Sequence, residues 1–211
     1  IPCLEELGIP RNLAARLRQA ALKDSGLVLC TGATGSGKST TLFSLLKELG
    51  GMAIKILSIE DPVELEIPDV VQSSVDMERG WTFPSALRAY LRQDPDIIFV
   101  GEIRDKASAE GAARAALTGH VVLSTLHASS CLAAFDRLRE WDLPVGLIAE
   151  TVSLVSHQRL VQREDKARPE AEFRWMDADP ETVYTYLREG TFPGSNQASE
   201  MHHEPVSSAK A

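Results

Sequence analysis

The sequence predicts an α/β fold in which a mostly parallel sheet is flanked by helices, and three observations predict it. Short apolar runs alternate along the chain with longer runs whose apolar residues recur at helical spacing. One such pair is joined by a glycine-rich segment, Gly32-Ala33-Thr34-Gly35-Ser36-Gly37-Lys38-Ser39. Further apolar runs lead to Glu60, Glu102 and His127, placing polar groups at the strand ends where open α/β sheets bind their ligands.

The elements follow in order. Residues 1–8 read as a connector, and Pro10 is suited to open a helix through Leu13, Leu17, Ala20 and Ala21 that ends near Gly26. Residues 27–30 form the first strand. Residues 40–49 form a helix with Leu42, Leu45, Leu46 and Leu49 on one stripe, stopped by Gly50-Gly51. Residues 54–59 read as a strand ending at Glu60-Asp61-Pro62, and residues 68–74 as a short edge strand. Residues 82–92 form a helix with Leu87, Tyr90 and Leu91 inward and Arg88 and Arg92 one turn apart, ended by Asp94-Pro95-Asp96. Ile97-Ile98-Phe99-Val100 is a buried strand that delivers Gly101-Glu102. After an alanine-rich helix over 107–117, capped by Gly119, residues 121–124 form a strand that delivers Thr125, Leu126 and His127. From 131 to 160 the pattern is helical, broken at Pro144. Beyond Val161 it degrades, with seven acids against three bases over 164–181, apart from a short helix over 180–188. The expected organisation is a connector and leading helix (1–24), a nucleotide-binding core (25–163), a short, divergent, helical C-terminal region (164–192) and a disordered tail (193–211).

Composition narrows the function. The 211 residues are 44% hydrophobic and 25% charged, enough for one large domain or a domain with an appendage. A net charge of −8 and a pI of about 5.2 leave no general basic surface for a polyanion. Nucleic acid is therefore not an expected partner, although Arg88, Arg92, Arg104, Arg159 and Arg163 are available for a local groove. Cys3, Cys30 and Cys131 form no C-x-x-C pair, which fits neither a disulfide framework nor a zinc site and suits a reducing cytosolic setting. No apolar run approaches the roughly 20 residues that cross a bilayer, and no signal peptide opens the chain. It starts at Ile1 rather than Met, so upstream sequence is expected.

The glycine-rich segment fits the phosphate-binding pattern G-x-x-x-x-G-K-[ST], a P-loop, in the strand-to-helix context the pattern requires. By average residue usage a chance match falls in roughly one chain in a hundred of this length. Gly32, Thr34, Gly35, Ser36, Gly37 and Thr40 belong to the backbone that wraps a phosphate chain, with a helix N-terminus aimed at it. Lys38 supplies a point charge for the β and γ phosphates and the Ser39 hydroxyl is a Mg2+ ligand, so ATP and Mg2+ are the expected ligands. Phosphoanhydride hydrolysis then needs a group that orients or deprotonates water. Glu60 is the candidate general base, Glu102 would hold Mg2+ through water, Asp61 supports either, and His127 and His120 are placed to sense the γ-phosphate. Each has a plainer reading alone: strand-end acids cap helices, and half-buried histidines satisfy backbone groups. Convergence on one sheet edge favours the hydrolytic reading.

At this point the sequence resembles the type II/type IV secretion ATPases, which power protein secretion and type IV pilus assembly or retraction. Four family motifs recur in order. Gly32 to Ser39, continued by Thr40-Thr41-Leu42, resembles Walker A; Ile59-Glu60-Asp61-Pro62-Val63-Glu64 resembles the Asp box. The stretch over 91–105, with Gly101-Glu102-Ile103-Arg104-Asp105, resembles Walker B, and Thr118-Gly119-His120 through Ser124-Thr125-Leu126-His127-Ala128 resembles the His box. Gln158-Arg159-Leu160-Val161 matches a further signature, to which no role is attached. The resemblance covers residues 5–163. It implies a RecA-like fold, a homohexamer, Glu60 as catalytic glutamate, Glu102 as Walker B acid, His127 near the γ-phosphate, and a cytoplasmic motor docked peripherally on an inner-membrane platform protein. Gln93 resembles the secretion and pilus-assembly branch, where retraction ATPases more often carry Glu. Two departures stand out. The four-cysteine zinc element of many assembly-type members is replaced by Gln162-Arg163-Glu164-Asp165, so zinc is not expected. The family's preceding domain, which supplies arginines worth about 10³ to 10⁵ in rate, has no counterpart before the P-loop here. The alternatives are a non-hydrolysing nucleotide-binding scaffold, a pilus retraction motor or a RecA-like nucleic-acid motor.

Overall fold

The structure, a computed structural model, describes residues 1–162 and 169–191 and the backbone of 202–204. Eight strands form one sheet: β1 (Gly26–Thr31), β2 (Ile56–Glu60), β3 (Val70–Ser74), β4 (Ile97–Ile103), β5 (Val121–Leu126), β6 (Val152–Val161), β7 (Glu170–Asp177) and β8 (His202–Glu204). Their order across the sheet is β3-β2-β4-β5-β1-β6-β7-β8. The first six run parallel, and the last two add on antiparallel.

Both faces of the parallel part are covered, which is why its strands read as continuous apolar runs rather than as alternation. All six residues of β1 are buried. Leu27 and Leu29 point into one core while Val28 and Cys30 point into the other. On the second face lie α1 (Arg11–Ala21) and α2 (Lys38–Gly50), packing Leu13, Leu17, Leu42, Leu45 and Leu46 against the sheet. On the first lie α3 (Phe83–Tyr90), α4 (Lys106–Leu117), α5 (Cys131–Glu140), α6 (Val145–Thr151) and α7 (Pro180–Glu189). Their starts are chemically marked. Thr82 and Ser85 form a capping box on α3, Asp105 and Ser108 form another on α4, and the Ser130 and Asp179 side chains cap α5 and α7.

Two expectations are corrected here. Residues 152–160 are strand, not helix. The spacing Ile148, Ala149, Val152, Val155 satisfies a helical stripe equally well, but Leu154 and Val155 are both fully buried on opposite faces, and only a strand beside β1 does that. The degraded pattern over 164–181 contains β7, which pairs with β6 from Leu154↔Asp177 to Val161↔Glu170. Its alternation was masked by charge: Phe173 and Trp175 enter one core and Met176 the other. The C-terminal region thus contributes a strand as well as the expected helix, α7. The tail expected to be disordered lies outside the described residues except at 202–204, whose backbone pairs with β7. Arg163 also lies outside them.

Candidate functional site

The C-terminal ends of β1, β2, β4 and β5 meet at a cleft of about 320 Å3. Thr34, Gly35, Lys38 and Ser39 form one wall, and Glu60, Asp61, Glu102 and His127 line the other side. Phe43, Phe83 and Phe99 add apolar surface.

The loop between β1 and α2 is held open from behind. Gly37 has φ of 90°, and a β-carbon there would come within 2.6 Å of Gln158 Nε2. At Gly32, φ is 144° and the same addition would meet Gln158 O at 2.2 Å, so both positions require glycine. Gln158 itself donates from Nε2 to Ser36 O and accepts at Oε1 from Thr41 Oγ1 at 2.9 Å. Lys38 is 7% exposed, and its ammonium donates to Ala33 O at 2.9 Å across the mouth of the loop. Burial pushes its pKa down, while Cys30 and Glu102 oppose the shift. Ser36 Oγ is buried inside the loop without a hydrogen-bond partner among the described residues. A confined cation with protons to spare, glycines that cannot be replaced and an orphaned hydroxyl fit a cradle for a phosphate chain.

Glu60 is 3% exposed. Its Oε1 accepts from Ser58 Oγ and from Gln72 Nε2 at 2.8 Å, while no described residue donates to Oε2. Behind it runs a relay in which Trp81 Nε1 donates to Ser73 Oγ (3.0 Å), Ser73 meets Tyr90 Oη (2.6 Å), and Tyr90 donates to Ser58 O (2.6 Å). The carboxylate is therefore fixed by one oxygen and presents the other. Glu102 is engaged at both oxygens. Oε1 lies 2.9 Å from His127 Nε2, and Oε2 accepts from Arg104 Nε at 2.7 Å; Arg104 also reaches Asp61 Oδ2 at 2.8 Å. Thr125 Oγ1 donates to Gly101 O at 2.7 Å, bracing the strand end that carries Glu102.

Of the residues expected from sequence, Thr34, Gly35, Lys38, Ser39, Glu60, Asp61, Glu102 and His127 line one cleft. Gly32, Ser36 and Gly37 shape the loop without lining that cleft, and Thr40 is exposed on its other side. His120 is not brought there. It precedes β5, so His127 stands a whole strand away, roughly 20 Å. Its Nδ1 lies 3.3 Å from Ala115 O at the end of α4. Expecting both histidines at one place overlooked that a strand separates them. Arg104 and Gln158 were available in the sequence without a role at this site; Ser58, Gln72 and Thr125 carried no signal, because their function depends on cross-strand placement.

Mg2+ needs one or two protein oxygens and takes the rest from phosphates and water. The Ser39 hydroxyl and the Glu102 carboxylate share this cleft and are hard oxygen donors of the right kind. No group of three or more His, Cys, Asp or Glu that could hold a metal alone occurs among the described residues. The donor set fits an ion that arrives with its phosphates. Burial pushes the Cys30 thiol up to about 11, so a thiolate has no part in it.

The family model described as "Type II/IV secretion system protein" matches residues 3–203. The type IV pilus assembly ATPase PilB of Thermus thermophilus is 48% identical over 164 residues, which cover 77% of this chain and 18% of that protein. The type II secretion system protein E of Klebsiella pneumoniae is 45% identical over 157 residues, 74% of this chain and 32% of that one. That of Pseudomonas aeruginosa is 40% identical over 191 residues, 88% and 38%. The chain thus spans between about a fifth and two fifths of these relatives. Among solved structures, the pilus retraction motor PilT with bound ADP superposes with a TM-score of 0.76 at 32% identity, over 90% of this chain and 57% of that one. The Legionella pneumophila ATPase DotB gives 0.73 at 32% identity, over 89% and 57%.

Proposed function

Because the chain belongs to the type II/IV secretion system protein family, we propose that it is the nucleotide-hydrolysing core of a secretion or pilus-assembly ATPase. The observation that carries this reading is the meeting of Lys38 and Ser39 with Glu60, Glu102 and His127 in one cleft. The P-loop N–H groups and the Lys38 ammonium bind the triphosphate, and Ser39 with Glu102 would hold Mg2+. Bound Mg2+ would supply charge neutralisation on the phosphate oxygens. Glu60, held at Oε1 by Ser58 and Gln72, orients the attacking water and takes its proton at Oε2. His127 and Arg104 set the position of Glu102. In the whole protein, hydrolysis would drive a homohexamer acting from the cytoplasmic side on an inner-membrane platform protein.

A second reading, a nucleotide-binding scaffold that does not hydrolyse, is favoured by one observation: both oxygens of Glu102 are already engaged, one by Arg104 and one by His127. Phosphate release separates the two. Lys38→Ala should abolish nucleotide binding, while Glu60→Gln should bind ATP and lose about 10² to 10⁴ in turnover. Undiminished turnover in Glu60→Gln would remove Glu60 as the base, and absence of Mg2+-dependent release from the full-length protein would favour the scaffold.

A further inference from the structure

Behind the P-loop, on the α5 face of the sheet, lies a small cavity of about 110 Å3 walled by Ser129, Ser130, His157, Arg159, Glu172 and Arg174. It adjoins a wider recess of about 460 Å3 through shared Ser129, His157 and Arg159, where Gly32, Ala33 and Ala128 give a largely apolar lining. The charge here runs against the rest of the molecule. On a chain of net charge −8, two guanidiniums face one carboxylate. Glu172 already takes Arg159, at 2.9 Å from Nε and 2.6 Å from Nη2, whereas Arg174 has no ion pair among the described residues. At roughly 30 Å3 per water the small cavity holds three or four waters, the volume of a carboxylate group with its contacts. The apolar recess beside it suits an aliphatic stem. The site also reaches the P-loop: His157 Nδ1 lies 3.1 Å from Thr31 Oγ1, on the last residue before Gly32.

We propose that this recess is a docking site for an acidic polypeptide partner, with a glutamate carboxylate seated between Arg174 and Arg159 and its methylenes lying over Ala33 and Ala128. The occupant competes with Glu172 for Arg159 and touches the strand end that carries the P-loop. Arg159 and Arg174 stand outside the cleft that holds Glu60 and Glu102, and the recess borders that cleft at His127, so occupancy of the site does not require hydrolysis. The carboxylate-on-a-stem chemistry distinguishes a peptide from a free oxyanion, which would need only the small cavity.

The test titrates the chain with fluorescein-labelled hexaglutamate at low ionic strength, reading anisotropy, with inorganic phosphate as competitor. Arg174→Gln should weaken hexaglutamate binding at least about fivefold, and Arg114→Gln, which removes an equal charge from α4, should leave it unchanged. Glu172→Gln should tighten it, a gain that misfolding cannot mimic. No binding to the native chain, equal loss in both arginine variants, no gain in Glu172→Gln, or full displacement by millimolar phosphate would each overturn the proposal.

Discussion

Gln158 Oε1 accepts from Thr41 Oγ1 at 2.9 Å, tying β6 to the first turn of α2 behind the P-loop. Its Nε2 donates to Ser36 O, inside the loop itself. Truncation by Gln158→Ala leaves a buried hydroxyl and a carbonyl unpaired, at about 1 to 3 kcal/mol for such groups. Thermal unfolding should fall by several degrees, and ATP should bind about tenfold more weakly, because the loop loses its rear support. Gln158→Glu should be worse than alanine for affinity, since it sets a carboxylate against Ser36 O. Calorimetric melting and nucleotide titration of both variants check this, and native affinity in Gln158→Ala would dismiss the buttress.

Gly35 and Gly37 provide an internal comparison. Both have positive φ, 77° and 90°, but a β-carbon on Gly35 meets nothing within 4 Å, whereas one on Gly37 meets Gln158 Nε2 at 2.6 Å. Gly35→Ala should therefore cost only the left-handed backbone penalty, roughly 1 to 2 kcal/mol. Gly37→Ala should cost that and the displacement of Gln158. In a Gln158→Ala background the excess should vanish, a coupling that a double-mutant cycle of urea unfolding measures directly.

Much of the site was legible because it is made of strand ends. An apolar run followed by an acid places that acid at the sheet's C-terminal edge whatever the order of strands, and this located Glu60 and Glu102 without a topology. The same logic misplaced His120, where the residue before a strand was grouped with the residue after it. Ser58, Gln72 and Tyr90 were illegible for a different reason: each acts on a neighbouring strand or helix, through a register that only the paired chain reveals. The β6 strand was misread because its apolar spacing fits two periods, and burial on both faces decided between them. Charge hid β7, since Glu170, Glu172 and Arg174 fall between its apolar residues.

Arg104 spans Glu102 and Asp61 from a half-exposed position. Pairs of that exposure are worth about 0 to 1 kcal/mol, so Arg104→Gln should hardly move the melting temperature. It should free one oxygen of Glu102 for the metal's water shell. The Mg2+ concentration that half-saturates ATP turnover should then fall by up to about fivefold, the factor equivalent to 1 kcal/mol. A large loss of turnover with unchanged Mg2+ dependence would instead show that the guanidinium acts on the phosphates.

His157 gives the fold a defined acid response. Burial lowers its pKa first, and the charges of Arg174, Arg159 and Lys38 lower it further. Above the unfolded value, near 6.5, the ring is neutral in both states and contributes no pH dependence. As pH falls below that value the unfolded chain takes up a proton that the folded chain resists, so stability declines. The decline continues until pH passes the depressed folded pKa, and below it the loss stays constant. Replacement by asparagine keeps a polar partner for Thr31 Oγ1 and removes the titration. Urea unfolding of native and His157→Asn protein from pH 7.5 to 4.5 should show the native stability falling more steeply from about pH 6.5 downward. The other histidines and the carboxylates are common to both chains and cancel in the difference. Parallel profiles would mean that neither burial nor the neighbouring cations depress the His157 pKa, and the imidazole would lose its place as the acid-sensitive group beside the P-loop.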